Sequence, residues 1–431
     1  MDSAASASPL TPSADHSIAV TNARRWAVVS LLFIASIINY FDRATISFAL
    51  PLISRDFHLG PASEGLLLSS FFWSYTLMQL PIGAFADRLD LLWIYAATFA
   101  LWSLAQGLTG LAASLAVLIA LRMVLGIGES IYLPGGTKIV SLLYNRNERG
   151  APSGFFDFGT RIGIAAGGLV MPLLLARFGW RWAFVAVGVP ALVWLIPWFA
   201  VFPARAVRER ARAARASLPR LGGRRHLRFN RNLLGICLGF FCFDYFWYLM
   251  VTWLPDYLYV ERHLSIVKAG LYAALPYAVF GVSEPLGGWI ADRLIHRGWD
   301  ETRTRKGIVT VGFLFGLLII PAARVRTAHE ALALIVGAGF VGLSTANLLV
   351  ILQSCAPPGE VGLWTGFENF AGNIGGILAP LVTGFLIKWS GSFLPAFILG
   401  PAILLSGLFS YWFIVGRLSP PVAATSSSPH S

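Results

Sequence analysis

The chain has 431 residues, 56% of them apolar and only 13% charged, with 43 Gly, 31 Phe and 15 Trp. That balance excludes an ordinary soluble domain and, with no alternating ten-residue pattern, a β-barrel; it implies an all-α membrane protein. The net charge of +12 invites a nucleic-acid reading, yet ten arginines and a single acid, Glu209, crowd between Phe202 and Asn232 without the aromatic interleaving or groove-reading motif that reading needs.

In chain order, residues 1–25 read as a disordered N-terminus. The first twenty are Ser/Ala/Pro-rich with no signal-peptide core, so the first span is expected to target the chain. Twelve apolar runs of about 20 to 25 residues follow, each enough for a hydrocarbon core of about 30 Å. They centre near residues 37, 75, 102, 126, 165, 192, 245, 280, 315, 342, 375 and 404. Residues 26–202 hold six of them. Residues 203–231 are a basic linker whose Arg/Ala-rich start reads as a surface helix. Residues 232–416 hold the other six, and 417–431 form a Ser/Pro-rich tail read as disordered. With the linker on the cytoplasmic side, 21 Lys/Arg fall inside and 8 outside, while Arg43, Arg122, Lys138 and Arg161 remain within spans. The positive-inside rule expects that asymmetry, with both termini cytoplasmic.

The two halves repeat each other. Gly83-Ala84-Phe85-Ala86-Asp87-Arg88-Leu89 returns as Gly288-Trp289-Ile290-Ala291-Asp292-Arg293-Leu294 at an offset of 205 residues. Gly167-Gly168-Leu169-Val170-Met171-Pro172 returns as Gly375-Gly376-Ile377-Leu378-Ala379-Pro380 at an offset of 208. Two echoes at nearly one offset imply a duplicated six-helix unit, an architecture of transporters that bind substrate between the repeats. Small-residue faces at Gly159, Gly163, Gly167 and Gly168, and at Gly372, Gly375 and Gly376, permit close helix packing in lipid.

Charges inside the spans carry the functional signal, because an intramembrane charge needs a partner or a wet cavity. Asn39-Tyr40-Phe41-Asp42-Arg43 sits inside the first span. Arg43 presents a planar fork of donors suited to a carboxylate, and Tyr40 can add a hydroxyl from nearly the same face. Arg122 and Glu129, seven apart, share a helix face about 10 Å apart along the axis; Arg122 reads either as a substrate group or as the partner of Asp42 or Glu129. A carboxyl in such a dry site can take up and release a proton near neutral pH. Arg161 reads either as the i,i+4 partner of Asp157 or as a second anion-binding group. Asp244, Glu284 and Glu368 are acids in spans of the second half, and Glu368, with Thr365 and Asn369 beside it, is expected to reach the cavity. Trp73, Tyr75, Trp247, Tyr248 and Trp364 could wall a ligand; Trp and Tyr near span ends commonly anchor at the interface, which leaves Tyr75, Tyr248 and Trp364 as candidates.

The three cysteines, Cys237 and Cys242 in the seventh span and Cys355 in a loop, form no CxxC or ligand spacing, so neither disulfide, metal nor cofactor is expected. All seven histidines are placed in loops or tails. A membrane-embedded enzyme would need a nucleophile–base pair or a metal cluster, and the interior offers no His for either.

The twelve spans, the Gly-xxx-Asp-Arg-Leu loops and the basic central loop together resemble the major facilitator superfamily. Asn39-Tyr40-Phe41-Asp42-Arg43, Arg122-Met123-Val124-Leu125-Gly126-Ile127-Gly128-Glu129 with Pro134, Glu148-Arg149-Gly150, Thr252-Trp253-Leu254-Pro255 and Ala269-Gly270 resemble its anion:cation symporter family over about residues 25 to 416. The resemblance implies two pseudo-symmetric six-helix bundles in a bacterial inner membrane and a monomeric, proton-coupled carrier of an organic anion such as a sugar acid. It also implies that Asp42 and Glu129 carry the proton and Arg43 meets the anion. Asn39, Tyr40, Arg122, Arg161, Tyr75, Tyr248, Trp364, Thr365, Glu368 and Asn369 are the further substrate-site candidates, and Asp87, Arg88, Asp292 and Arg293 the gating candidates. The first loop departs from the usual pattern by continuing Asp90-Leu91-Leu92 where a Gly and two basic residues are common. An aromatic acid or a dicarboxylate remains an alternative cargo. A drug/proton antiporter is a further alternative, although Thr160-Arg161-Ile162 interrupts the glycine-rich face expected of one.

Overall fold

A computed structural model describes residues 20–144, 148, 150–216, 230–357 and 361–418. The expected disorder of the chain ends, the centre of the linker at 217–229, and Arg149 fall outside the described residues. The Asp87 side chain does too. Among the described residues the chain is helical, without strands.

The first half comprises α1 (Asn22–Phe57), α2 (Pro61–Arg88), α3 (Leu91–Thr109), α4 (Leu115–Glu129) continued by α5 (Tyr132–Leu143), α6 (Gly150–Ala191) and α7 (Leu195–Val201). The linker helix α8 (Ala204–Ala216) follows. The second half comprises α9 (Arg231–Val260), α10 (Ile266–His296), α11 (Glu301–Gly316) with α12 (Ile319–Ala322), α13 (Ala328–Ala338) with α14 (Thr345–Cys355), α15 (Val361–Ser390) and α16 (Leu394–Phe409). Among the described residues, ten helical stretches are long and apolar enough to cross a bilayer. One of them, 51 residues from Ala151 to Val201, holds two crossings separated at Gly179, whose φ of 71° only glycine adopts freely. With the 28 residues of α2 added, the twelve crossings are complete.

Several local details differ from the sequence reading. Helix α1 begins at Asn22, inside the stretch read as disordered to residue 25, because Thr21 caps it and Arg24 Nε donates to the Val201 carbonyl at 2.7 Å. Cys355 ends α14 and is not in a loop. His296 and His329 belong to the ends of α10 and α13. Surface helix α8 forms as expected; Arg208 Nη2 ties it to Asp90 at 2.5 Å, and Asp90 also caps α3 by accepting from the Leu92 amide at 3.1 Å.

Within the first half, α6 lies along α1 through glycines: Gly159 meets the Phe33 carbonyl and Gly163 the Ile37 carbonyl. Those residues serve static packing. The seam between halves is made elsewhere, near the end of the molecule opposite the linker. A Cβ at Gly65 of α2 would sit 2.6 Å from the Pro380 carbonyl of α15, and one at Gly270 of α10 would collide with the Pro172 ring of α6. Gly168 likewise meets Ala274, and Gly376 meets Phe72. Toward the linker end, Gly83, Gly154 and Gly366 have no described atom within 4 Å of a Cβ, and Phe158 is 55% exposed. Among the described residues the halves are closed against each other at the far end and part toward the linker.

Candidate functional site

Helix α1 carries Asn39, Asp42 and Arg43 into the interior of the first half, where all three are buried. Helix α4 brings Arg122 and Glu129 to the same place; two turns apart, they face one way. Arg43 Nε donates to Glu129 Oε2 at 2.8 Å, with side chains 8% and 0% exposed. Of the two readings of Arg122, substrate group or partner of Asp42 or Glu129, the second is not seen: Arg122 forms no ion pair among the described residues, and Glu129 is taken by Arg43. The sequence places Arg122 and Glu129 on one face but cannot show that α1 reaches Glu129 first. Arg122 Nε and Nη1, Arg43 Nη2 and both carboxylate oxygens of Asp42 have no hydrogen-bond partner among the described residues. Gln106 of α3 lies beside Asp42 and Asn39 beside Glu129. Two guanidiniums and two carboxyl groups thus share one dry space, balanced in charge and sparsely bonded.

Aromatic rings hold the cations. The Arg43 guanidinium lies 4.7 Å from the Tyr40 ring, 5.0 Å from Phe71 and 4.4 Å from Tyr75. Arg122 lies 5.1 Å from the Phe71 ring. One ring is therefore within cation–π range of both arginines, which offsets part of the cost of burying two like charges. Phe71 was not legible as a site residue; in sequence it is one Phe of a Phe-Phe-Trp run.

A small cavity opens between the halves at this level, lined by Tyr40, Arg43, Phe71 and Arg122 on one side and by Trp247, Tyr248 and Thr252 on the other. Its volume is about 20 Å³, room for one water-sized sphere. The Tyr248 ring lies 4.5 Å from that of Phe72, which lines the same cavity. Trp247, set aside as an interface anchor, lines the cavity and stacks on Phe280 at 4.0 Å.

Arg161 does not pair with Asp157. Its Nη2 bonds Glu284 Oε2 of α10 at 2.6 Å, an ion pair between the halves, each side chain about one fifth exposed. Asp157 instead faces the Tyr132 hydroxyl at 3.5 Å. Spacing along one helix suggested the i,i+4 partner; the closer carboxylate comes from the other half.

The α15 candidates do not reach the cavity. Trp364 is 1% exposed, Thr365 bonds its own helix at the Val361 carbonyl, Asn369 Oδ1 accepts from Asn373, and Glu368 is buried. Gly376, which packs on cavity-lining Phe72, lies eight residues past Glu368, about 12 Å along the axis. The Glu368 group therefore sits more than two turns toward the linker end.

Of the gating candidates, Arg88 lines a hollow of about 360 Å³ with Asp90, Arg208 and Arg212. Asp292 Oδ1 accepts from Arg305 Nη2 of α11 at 2.9 Å, and the Arg293 guanidinium lies 5.4 Å from the Trp289 ring. These contacts stay within one half. No group of three or more His, Cys, Asp or Glu able to hold a metal occurs among the described residues.

Residues 32–362 match the family model described as Major Facilitator Superfamily. The chain is 31% identical over 420 residues to the D-galactonate transporter of Escherichia coli O6:H1, covering 91% of this chain and 96% of that one. It is 27% identical over 420 residues to the hexuronate transporter of Bacillus subtilis, covering 94% and 98%. Among solved structures, a bacterial homologue of the human lysosomal transporter Spinster, inward-facing and occupied, aligns with a TM-score of 0.78 at 19% identity over 93% of this chain and all of that one. A D-xylose–proton symporter aligns at 0.72 and 17% identity over 91% and 98%. The last two likenesses speak to the fold. Twelve crossings in two repeated halves, a charged cavity between them and these matches have one conclusion: the chain belongs to the major facilitator superfamily and is a multi-pass membrane transporter, not an enzyme.

Proposed function

We propose that this transporter is a proton-coupled symporter that takes up an organic anion, a sugar acid first among them, by alternating access in a bacterial inner membrane with both termini cytoplasmic. The observation that carries the reading is the pair of buried arginines, Arg43 and Arg122, which face one cavity with guanidinium donors left unbonded. A carboxylate supplies the acceptors those donors lack, bidentately and with charge assistance. Glu129 now occupies Arg43, so substrate and Glu129 compete for one guanidinium. Protonation of Glu129 releases Arg43 to the anion, and departure of the anion returns Arg43 to a carboxylate that sheds its proton. Asp42 is the second proton carrier, and Tyr40, Tyr75, Tyr248 and Trp247 wall the cargo. The sugar-acid names of the relatives agree with this choice of anion. The dicarboxylate alternative keeps its support: relatives named probable galactarate/D-glucarate transporters have cargoes with two carboxylates, and Arg161, although bonded to Glu284, is a second guanidinium for one of them.

Purified protein in proteoliposomes, given labelled D-galactonate, a hexuronate, an aromatic acid or a cationic dye under an imposed pH gradient, tests the proposal. Accumulation of a sugar acid driven by an alkaline interior is expected. Movement of the dye against the gradient, with no acid uptake, overturns it in favour of a drug antiporter.

A further inference from the structure

The second half holds acids that the arginine cavity does not use. Asp244 on α9 and Glu368 on α15 are 8% and 4% exposed, and neither forms an ion pair among the described residues. Gly372 lies one turn beyond Glu368, and a Cβ there would collide with Asp244 Oδ2. The missing side chain is what lets the Asp244 carboxyl rest against α15. Among the described residues Glu368 Oε1 has no hydrogen-bond partner, and neither has the hydroxyl of Tyr411, which is fully buried and acts electrostatically on both carboxyls. Cys237 and Cys242 from α9, and Tyr248 one turn past Asp244, complete the titratable surroundings. The nearest cation, Arg161, acts on Asp244 from α6 but is bonded to Glu284.

We propose that Asp244 and Glu368 form a second proton-binding site, a coupled carboxyl pair that takes up one proton and exchanges it with the cleft on the linker side. Two buried carboxylates whose nearest cation is already bonded to Glu284 cannot both stay ionised in a dry space; one proton on either removes the repulsion. Gly372 sets the approach of Asp244 to α15, and the Tyr411 hydroxyl, without a partner among the described residues, lies in the field of both carboxyls. The 8% exposure of Asp244 is its path to water. The step is a simple protonation, –COO⁻ plus H⁺ giving –COOH, reversed when the cleft is open. The part this site plays in transport rests on the proposed proton symport; its protonation does not.

Infrared difference spectroscopy of the purified full chain, stepped from acid to alkaline pH, reads the carbonyl stretch of protonated carboxyls. One component of the loss seen in the parent is expected to vanish in both Asp244→Asn and Glu368→Gln and to survive in Asp42→Asn/Glu129→Gln. Tyr411→Phe keeps both acids and should shift the frequency of that component without removing it, which serves if the acid variants fail to fold. Spectra of Asp244→Asn and Glu368→Gln identical to the parent overturn the proposal. A melting temperature raised by sodium but not by potassium, and no longer raised in Glu368→Gln, overturns it in favour of a sodium ligand. A parent without gradient-driven uptake that still shows the component removes proton symport and leaves this site standing.

Discussion

Replacing Glu129 by Gln is expected to tighten substrate binding while abolishing its coupling to protons. Arg43 Nε is committed to Glu129 Oε2 at 2.8 Å, in a site where both side chains are almost wholly buried. An incoming carboxylate must displace that bond. A hydrogen bond to a charged group is worth about 1.5–3 kcal/mol; Arg43 keeps its charge, so the amide stays at the low end of that range where the carboxylate stands at the high end, and the exchange weakens the competitor by about 1.5 kcal/mol. That corresponds to an affinity about 10-fold higher at neutral pH. The amide keeps an acceptor on Arg43, so the variant avoids most of the roughly 3–5 kcal/mol loss that follows when a buried charge is stranded. Isothermal titration with D-galactonate measures the first effect, and proteoliposomes measure the second: exchange between equal pools should persist while accumulation under a pH gradient fails. An affinity equal to or weaker than that of the parent refutes the competition between Glu129 and substrate. Accumulation driven by pH alone moves the proton elsewhere, to Asp42 first.

Arg43→Lys should largely abolish binding while leaving a folded protein, because a point charge replaces a fork; affinity retained within about threefold in the same titration would remove Arg43 as the carboxylate anchor. Arg161→Ala should lower the melting temperature by leaving Glu284 without its partner, and Arg161→Ala/Glu284→Gln should recover it; recovery only on adding a change at Asp157 would refute the ion pair between halves. Gly65→Val places methyl groups against the Pro380 carbonyl, so the far end should no longer close. A cysteine introduced at Thr252, in a chain lacking the three native cysteines, should then react faster with a thiol reagent added from the far side, and an unchanged rate would refute the seam.

What the sequence revealed and what it hid divide along a physical line. Asp42, Arg43, Arg122 and Glu129 were legible because charge within an apolar run is costly and therefore conspicuous. Their pairing was not, since periodicity reports which residues share a helix face and says nothing of which helix arrives opposite. Arg161 shows the same blindness: Asp157, four residues away, is visible along the chain, whereas Glu284 is 123 residues distant and bonds it at 2.6 Å. The apolar runs gave the twelve crossings, and the echoes gave their grouping into two like halves. They did not give depth, and Trp364, Thr365, Glu368 and Asn369 were assigned to the cavity when their turns of α15 lie toward the linker. Trp247 was lost to a general preference of Trp for interfaces, which packing on Phe280 overrode.

The seam at the far end has a symmetry of its own. Gly65 and Gly270 lie 205 residues apart, as the Asp-Arg-Leu echoes do, and the prolines they press on, Pro380 and Pro172, lie 208 apart. Each half contributes one glycine and one proline, and the glycine of each meets the proline of the other. Had the two halves been separate chains, this would be an isologous interface, in which one patch recognises its own copy across a two-fold axis. Away from that axis the halves differ: Arg43 and Arg122 belong to the first, Asp244 and Glu368 to the second, while the glycine–proline contacts at the axis are alike.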